Sequence, residues 1–143
     1  MNNLAIFTPT YNRADTLKNL YESLKNQTNK SFVWYIIDDG STDETEETVK
    51  NFINDDFEII YQKKQNGGKH TAINFGIKFV REELTFIVDS DDSLTSDAVE
   101  TIHSDWKKFS KENVAGLSYY RIDANGKILG KEYDGGDGCD CDF

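Results

Sequence analysis

Three carboxylates crowd into four residues in the segment "FIVDSDDSL", Phe86 to Leu94: Asp89, Asp91 and Asp92. Like charges this close repel, and carboxylates at the end of an apolar strand lose hydration. If the chain stays extended from Asp89 to Asp91, those two side chains share one side and Asp92 takes the other. Two carboxylates facing one space suit a hard divalent cation, Mn²⁺ or Mg²⁺, whose other ligands are waters and phosphate oxygens. A solvated turn, with Asp92 or Ser96 capping the next helix, fits the same residues. A calcium loop of the EF-hand type would use Asp89, Asp91, Ser93, Asp97 and Glu100. Its sharp turn needs glycine where this chain has Leu94, and the segment before it is β-like, so that reading is set aside.

Three other short stretches carry chemistry. "IIDDGSTD" brings Asp38 and Asp39 to the end of an apolar run, with Gly40 permitting a turn. One carboxylate there can accept a ligand N–H, or both can satisfy loop amides. "NGGKHTAIN" joins two glycines, Lys69 and a helix start. It is not a Walker A loop, because Lys63 stands where the first glycine belongs and His70 follows the lysine. It still offers an anion cradle, or else a glycine turn with a solvated lysine. His70 alone reads as a helix-start residue. In "TPTYNR", Tyr11 can stack on a flat ring, and Asn12 or Arg13 can cap the following helix.

These stretches fall between regular elements. Leu4–Thr8 reads as a strand stopped by Pro9. "ADTLKNLYESLKNQ" spaces Leu17, Leu20, Tyr21 and Leu24 as one helical face. "SFVWYIID" is a second strand. "STDETEETVKNFIN" opens on a capping box, Ser41 with Glu44. "FEIIYQ" is a third strand. A helix then runs to Arg81 with Ile73, Ile77 and Val80 on one face. "LTFIVD" is a fourth strand, and a helix from about Ser96 turns Val99, Ile102 and Trp106 inward. "VAGLSYYRI" and "KILGKEY" flank "DANG" as a hairpin. Strands alternating with helices predict an α/β fold with a mainly parallel sheet, whose ligands bind beyond the carboxyl ends of the strands. The four polar stretches lie at those ends.

The chain has 143 residues, enough for one domain with a real core. Its formal net charge of −10 disfavours nucleic acid and anionic membrane surfaces as partners. No segment is long and apolar enough to span a membrane, and "MNNLAIFTPTYNR", with its short apolar run and no basic residues ahead of it, does not read as a signal peptide. Cys139 and Cys141 form at best half a metal site and imply no disulfide framework, which fits a reducing cytoplasm.

In this order and spacing, "FTPTYNRADTL", "IIDDGSTDET", "NGGKHTAINFG" and "FIVDSDD" resemble the family 2 glycosyltransferases of the GT-A fold. The resemblance runs from Leu4 to about Leu94 and continues weakly through "VAGLSYY". It implies a Rossmann-like three-layer α/β/α sandwich and a nucleotide-diphosphate sugar as donor, most often UDP-linked. Pro9, Thr10 and Tyr11 are then expected beside the nucleotide. Asp39 would accept from the base, with the Lys69 loop close by. Asp89 would sit near the ribose, and Asp91 would bind a Mn²⁺ or Mg²⁺ ion bridging the diphosphate. Asp92 is left to support the loop.

Residues 1–133 are accordingly expected to form a donor-binding domain, and 134–143 an acidic, glycine-rich tail. The family's later segment, with its acceptor site and catalytic base, is not recognisable before Phe143. No residue is assigned as that base, Asp134 and Asp137 being the conceivable candidates. The acceptor, a glycan or a lipid, is not specified by these residues. The expected location is cytoplasmic, peripheral to the inner face of the membrane in a longer form. Transfer with inversion is one expectation. A nucleotide-sugar-binding module without catalysis is the alternative, to be separated by testing transfer against binding alone. A phosphoacceptor receiver domain would need acids after the first strand, where this chain has "TPTYN".

Overall fold

A computed structural model describes residues 3–52, 55–112 and 114–130. The end of the second predicted helix at 53–54, the last residues of the second hairpin strand, the tail 134–143, Asp134, Asp137, Cys139 and Cys141 lie outside the described residues. The chain divides into two compact units, Met1–Lys108 and Phe109–Phe143.

In the first unit, β1 (Leu4–Thr10), β2 (Phe32–Asp38), β3 (Glu58–Lys63) and β4 (Leu84–Ile87) form one parallel sheet in the order β3-β2-β1-β4. The helices are α1 (Ala14–Lys25), α2 (Thr45–Lys50), α3 (Lys69–Gly76) and α4 (Ala98–Phe109). All seven residues of β1 and of β2 are buried, so both faces of the sheet centre are covered. Strand side chains alternate between faces. Ala5, Phe7, Val33, Tyr35 and Ile37 pack with Ala72 of α3, and Ile73 and Val80 lean on that cluster. On the other face Trp34 stacks with Tyr21 of α1 and with Phe52, and Phe32 meets Phe57. Each large side chain buried this way stabilises the fold by about 1.5–3 kcal/mol relative to exposure. The result is the expected α/β sandwich around a parallel sheet.

Pro9 does not stop β1, which continues through it to Thr10. The Phe7 carbonyl accepts from Val88 N–H, so Phe7 directs its backbone toward β4. Pro9, two residues on, directs its missing donor the same way, where the β1–β4 ladder has already ended at Phe7–Ile87. Its loss therefore breaks no sheet bond.

The capping box is also absent. α2 begins at Thr45, and no side chain caps it from Glu44. Ser41 instead donates its N–H to Asp38 Oδ1 at 2.8 Å and accepts Asn12 N–H at 2.9 Å. α3 ends at Gly76 and tightens into a 3₁₀ turn, Ile77–Phe79. That rotates Ile77 off the core face, leaving it 46% exposed, while Ala72 and Gly76 face the sheet. α4 buries Val99 and Ile102, and Trp106 is half-buried, its indole N–H donating to Glu83 at 3.0 Å. The buried Gln27 ties the α4 start to α1: its amide donates to the Ser23 and Thr95 carbonyls and accepts Val99 N–H.

Among the described residues, the second unit carries an antiparallel pair, β5 (Arg121–Ile122) and β6 (Ile128–Leu129). β5 is shorter than the expected run from Val114. Asp123 shapes the turn by accepting the N–H groups of Asn125 and Lys127. No helix among the described residues is long and apolar enough to cross a membrane.

Candidate functional site

The chain runs β1, β2, β3 outward along one side of the sheet, then returns so that β4 lies on the other side of β1. Strand order reverses there, and such a switch point opens a crevice beyond the carboxyl ends of the strands. Four loops line this edge, and pairwise contacts join them into one rim.

Loops one and two interlock through Asn12, which sits at φ 51°. Asparagine tolerates this left-handed conformation because its short polar side chain bonds locally. Its Oδ1 accepts Thr42 N–H at 2.8 Å and Asp43 N–H at 3.3 Å. Asp43 then serves two helix starts, accepting Thr45 N–H and Oγ1–H at 3.0 and 2.6 Å and Ala14 N–H at 3.3 Å. Burial opposes its ionisation, but the bonds from Thr45 and Ala14 outweigh burial and hold its carboxyl below the ordinary range.

Loops two and three are joined by Asp39. Its carboxylate accepts from Lys64 Nζ at 2.6 Å, Gly67 N–H at 3.1 Å and Gly68 N–H at 2.6 Å. Burial pushes its pKa up, and these donors overcome burial to bring it below the usual carboxylate value. Gly40, at φ +82°, allows the close approach: a Cβ there would lie 2.7 Å from Asn66 N. Neighbouring Asp38 is fully buried and accepts Ser41 N–H and the Tyr61 hydroxyl at 2.6 Å. Burial and that bond raise the Tyr61 pKa above its ordinary value.

Loops three and four meet although β3 and β4 are the outermost strands. α3 crosses behind β2 and β1, and its first residue, Lys69, pairs with Asp89 Oδ1 at 2.5 Å. Beyond β4 the chain does not stay extended. Asp92 N–H bonds the Asp89 carbonyl at 3.0 Å, closing a turn over Ser90 and Asp91. The expected alternation therefore fails at Asp92, which joins the others: Asp89, Asp91 and Asp92 each offer an oxygen, all within 4.8 Å of one another. An all-oxygen donor set this compact fits a hard divalent cation.

The sheet edge thus has an acid cluster at one wall, two glycine amides and a lysine at another, and an aromatic ring, Tyr11, 45% exposed at the end of β1. Comparison with known proteins decides the family. The sequence profile described as "Glycosyl transferase family 2" matches residues 5–132. This chain belongs to glycosyl transferase family 2. It is 30% identical over 134 residues to the glycosyltransferase GlyA of Streptococcus pneumoniae, aligning 91% of this chain with only 19% of that protein. In fold it is similar to Staphylococcus aureus TarS 1–349 solved with UDP-GlcNAc, at TM-score 0.68 and 24% identity over 76% of this chain and 32% of that one. It is also similar to a Pyrobaculum calidifontis mannosyltransferase solved with GDP-Man and Mn²⁺, at TM-score 0.60 and 22% identity over 64% and 28%. The GT-A architecture is that of these neighbours.

Within this family fold, the residues singled out in the sequence divide into two groups. Tyr11, Lys69, Asp89 and Asp91 are accessible at the loop edge. Pro9, Thr10 and Asp39 are buried in the rim. Thr10 Oγ1 has no hydrogen-bond partner despite being buried. Asn12, Asp43 and Lys64, which bind the loops together, were missed as linkers. No local spacing marks them, because each acts on a loop about 25–30 residues away. A cavity of about 490 Å³ lies elsewhere, between α1 and α2, and is lined by Lys18, Glu22, Glu44 and Phe52 among others.

Proposed function

We propose that the described loop rim is the donor site of a family 2 glycosyltransferase, which takes a sugar from a nucleotide diphosphate, probed first with UDP. The observation that supports this most is the meeting of Lys69 with the Asp89–Asp91–Asp92 cluster at the β1/β4 switch point. A diphosphate needs both cationic donors and a bridging cation, and this corner supplies Lys69 beside an oxygen cluster.

In this reading Asp91, with Asp89 or Asp92, holds Mn²⁺ or Mg²⁺. When bound, that ion supplies Lewis-acid stabilisation of the charge that develops on the departing diphosphate. Tyr11 stacks on the base. Pro9 and Thr10 form the floor beside the nucleotide, and Asp89 lies toward the ribose. Asp39 is the residue assigned to accept a base N–H. Its buried, ionised carboxylate also fixes the glycine loop. The TarS complex with UDP-GlcNAc supports a uridine nucleotide, while the mannosyltransferase complex supports a divalent ion at this kind of site. The acceptor hydroxyl requires a base, and none is assigned among the described residues. Inverting stereochemistry and a cytoplasmic location remain part of the proposal, as does a donor-binding domain over residues 1–133.

Calorimetry tests the reading. Wild type should bind UDP, and Mn²⁺ should tighten that binding. Asp91→Ala should lose most of the metal-dependent gain while melting at the wild-type temperature, since the residue is exposed. A wild type with no affinity for UDP refutes the donor site. Equal metal dependence in both proteins refutes the assignment of Asp91.

A further inference from the structure

We infer that Lys69 is the acid cluster's resident counter-ion and couples cation binding to diphosphate binding; the inference rests on the donor-site reading above. A lysine is electrostatically misplaced at the start of a helix, where the dipole is positive. α1 and α2 carry acids in their first turns, Asp15 and Glu46 with Glu47, whereas α3 carries none and opens on Lys69. What stabilises the ammonium there is Asp89, 2.5 Å away on another loop.

The pair is exposed, 56% for the lysine side chain and 45% for the aspartate. Exposed pairs are weak and exchange readily. The cluster's three carboxylates within 4.8 Å carry one more negative charge than a divalent cation neutralises. In the nucleotide-free protein Lys69 competes through its contact, engaging one oxygen of Asp89 and repelling an incoming cation by its own charge. A diphosphate offers the ammonium a second anion at the same helix start, where the positive end of the helix dipole also favours it. Once Lys69 turns to the phosphates, Asp89 is released and the repulsion is neutralised. Cation and nucleotide then assist each other, and by linkage each raises the other's affinity by the same factor.

The test is Mn²⁺ binding followed by the electron paramagnetic resonance signal of free Mn²⁺, in about 0.15 M salt, with and without saturating UDP. Wild type, Lys69→Met, Lys69→Arg and Asp91→Ala are compared, each checked by thermal melting. Removing a unit charge about 5 Å from a divalent ion, in screened water, should tighten Mn²⁺ binding to the nucleotide-free Met variant about fivefold. The enhancement by UDP should shrink by a similar factor. The Arg variant, which keeps the charge, should behave like wild type. Equal or weaker Mn²⁺ binding by Lys69→Met without UDP overturns the inference, as does an Arg variant that follows Met. If Asp91→Ala weakens Mn²⁺ and UDP still tightens it in wild type, that failure belongs to Lys69 alone. If Asp91→Ala changes nothing and UDP has no effect on wild type, the donor-site reading falls and the coupling with it.

Discussion

Replacing Lys64 by methionine tests whether the second and third loops are held by a buried charge. The ammonium donates to Asp39 Oδ1 at 2.6 Å, to Thr71 Oγ1 at 2.9 Å and to the Gln65 carbonyl. The two side chains are only 15% and 5% exposed, so water replaces little of what is lost. Removing one partner of a fully buried pair typically costs about 3–5 kcal/mol. Asp39 keeps its bonds from Gly67 and Gly68, so the loss is nearer one charge-assisted hydrogen bond, about 2–3 kcal/mol. Methionine preserves most of the stem's packing, which isolates the charge. In a chain of this size the expected fall in Tm is about 10 °C.

The sign of the pH dependence makes the test specific. Asp39 has a folded pKa below its unfolded value of about 3.9. Its contribution is therefore present above pH 4 and is lost as pH falls through the folded pKa. Without Lys64 the folded pKa rises, so the gap between wild type and mutant should be full at pH 7 and narrow below pH 4. Urea unfolding from pH 7 to pH 3 measures this directly. A gap under 1 kcal/mol at pH 7, or one that stays constant down to pH 3, would show that the carboxylate does not depend on Lys64.

Two further outcomes follow from packing and burial. Gly76→Ala should destabilise by at least about 1–3 kcal/mol, because its Cβ would meet Ile37 Cγ1 at 2.4 Å and Phe7 Cζ at 2.7 Å; thermal melting checks it, and an unchanged Tm would show that α3 can move off the sheet. Burial, followed by the hydrogen bond to Glu82, pushes the Tyr35 pKa up to about 12. Its contribution is complete below the unfolded tyrosine value near 10 and declines as pH rises toward 12. Ultraviolet titration should therefore lose a phase near pH 12 in Tyr35→Phe, and a wild-type Tyr35 that ionises near pH 10 would refute the burial argument.

The central strands β1 and β2 were legible because their apolar runs are local and their burial is complete. "SFVWYIID" reads as a strand from composition alone, and β2 occupies Phe32–Asp38. Helix limits were less legible because tertiary partners replace local caps. Ser41 and Glu44 have capping-box spacing, yet Ser41 is claimed by Asp38 and Asn12, so α2 starts only at Thr45. The same limit applied to the loops. Period-two alternation placed Asp92 opposite Asp91, but one backbone bond from Asp92 to Asp89 ends the extended conformation and gathers all three acids. Sequence supplies the types of residue available to a site. Their pairing depends on which loops meet, and here Lys69 reaches Asp89 because the helix after one outer strand crosses the sheet toward the other. That crossing is also why an isolated D-x-D spacing carries little chemical meaning, whereas the same acids facing a lysine across a switch point define a charge balance that a bound diphosphate can tip.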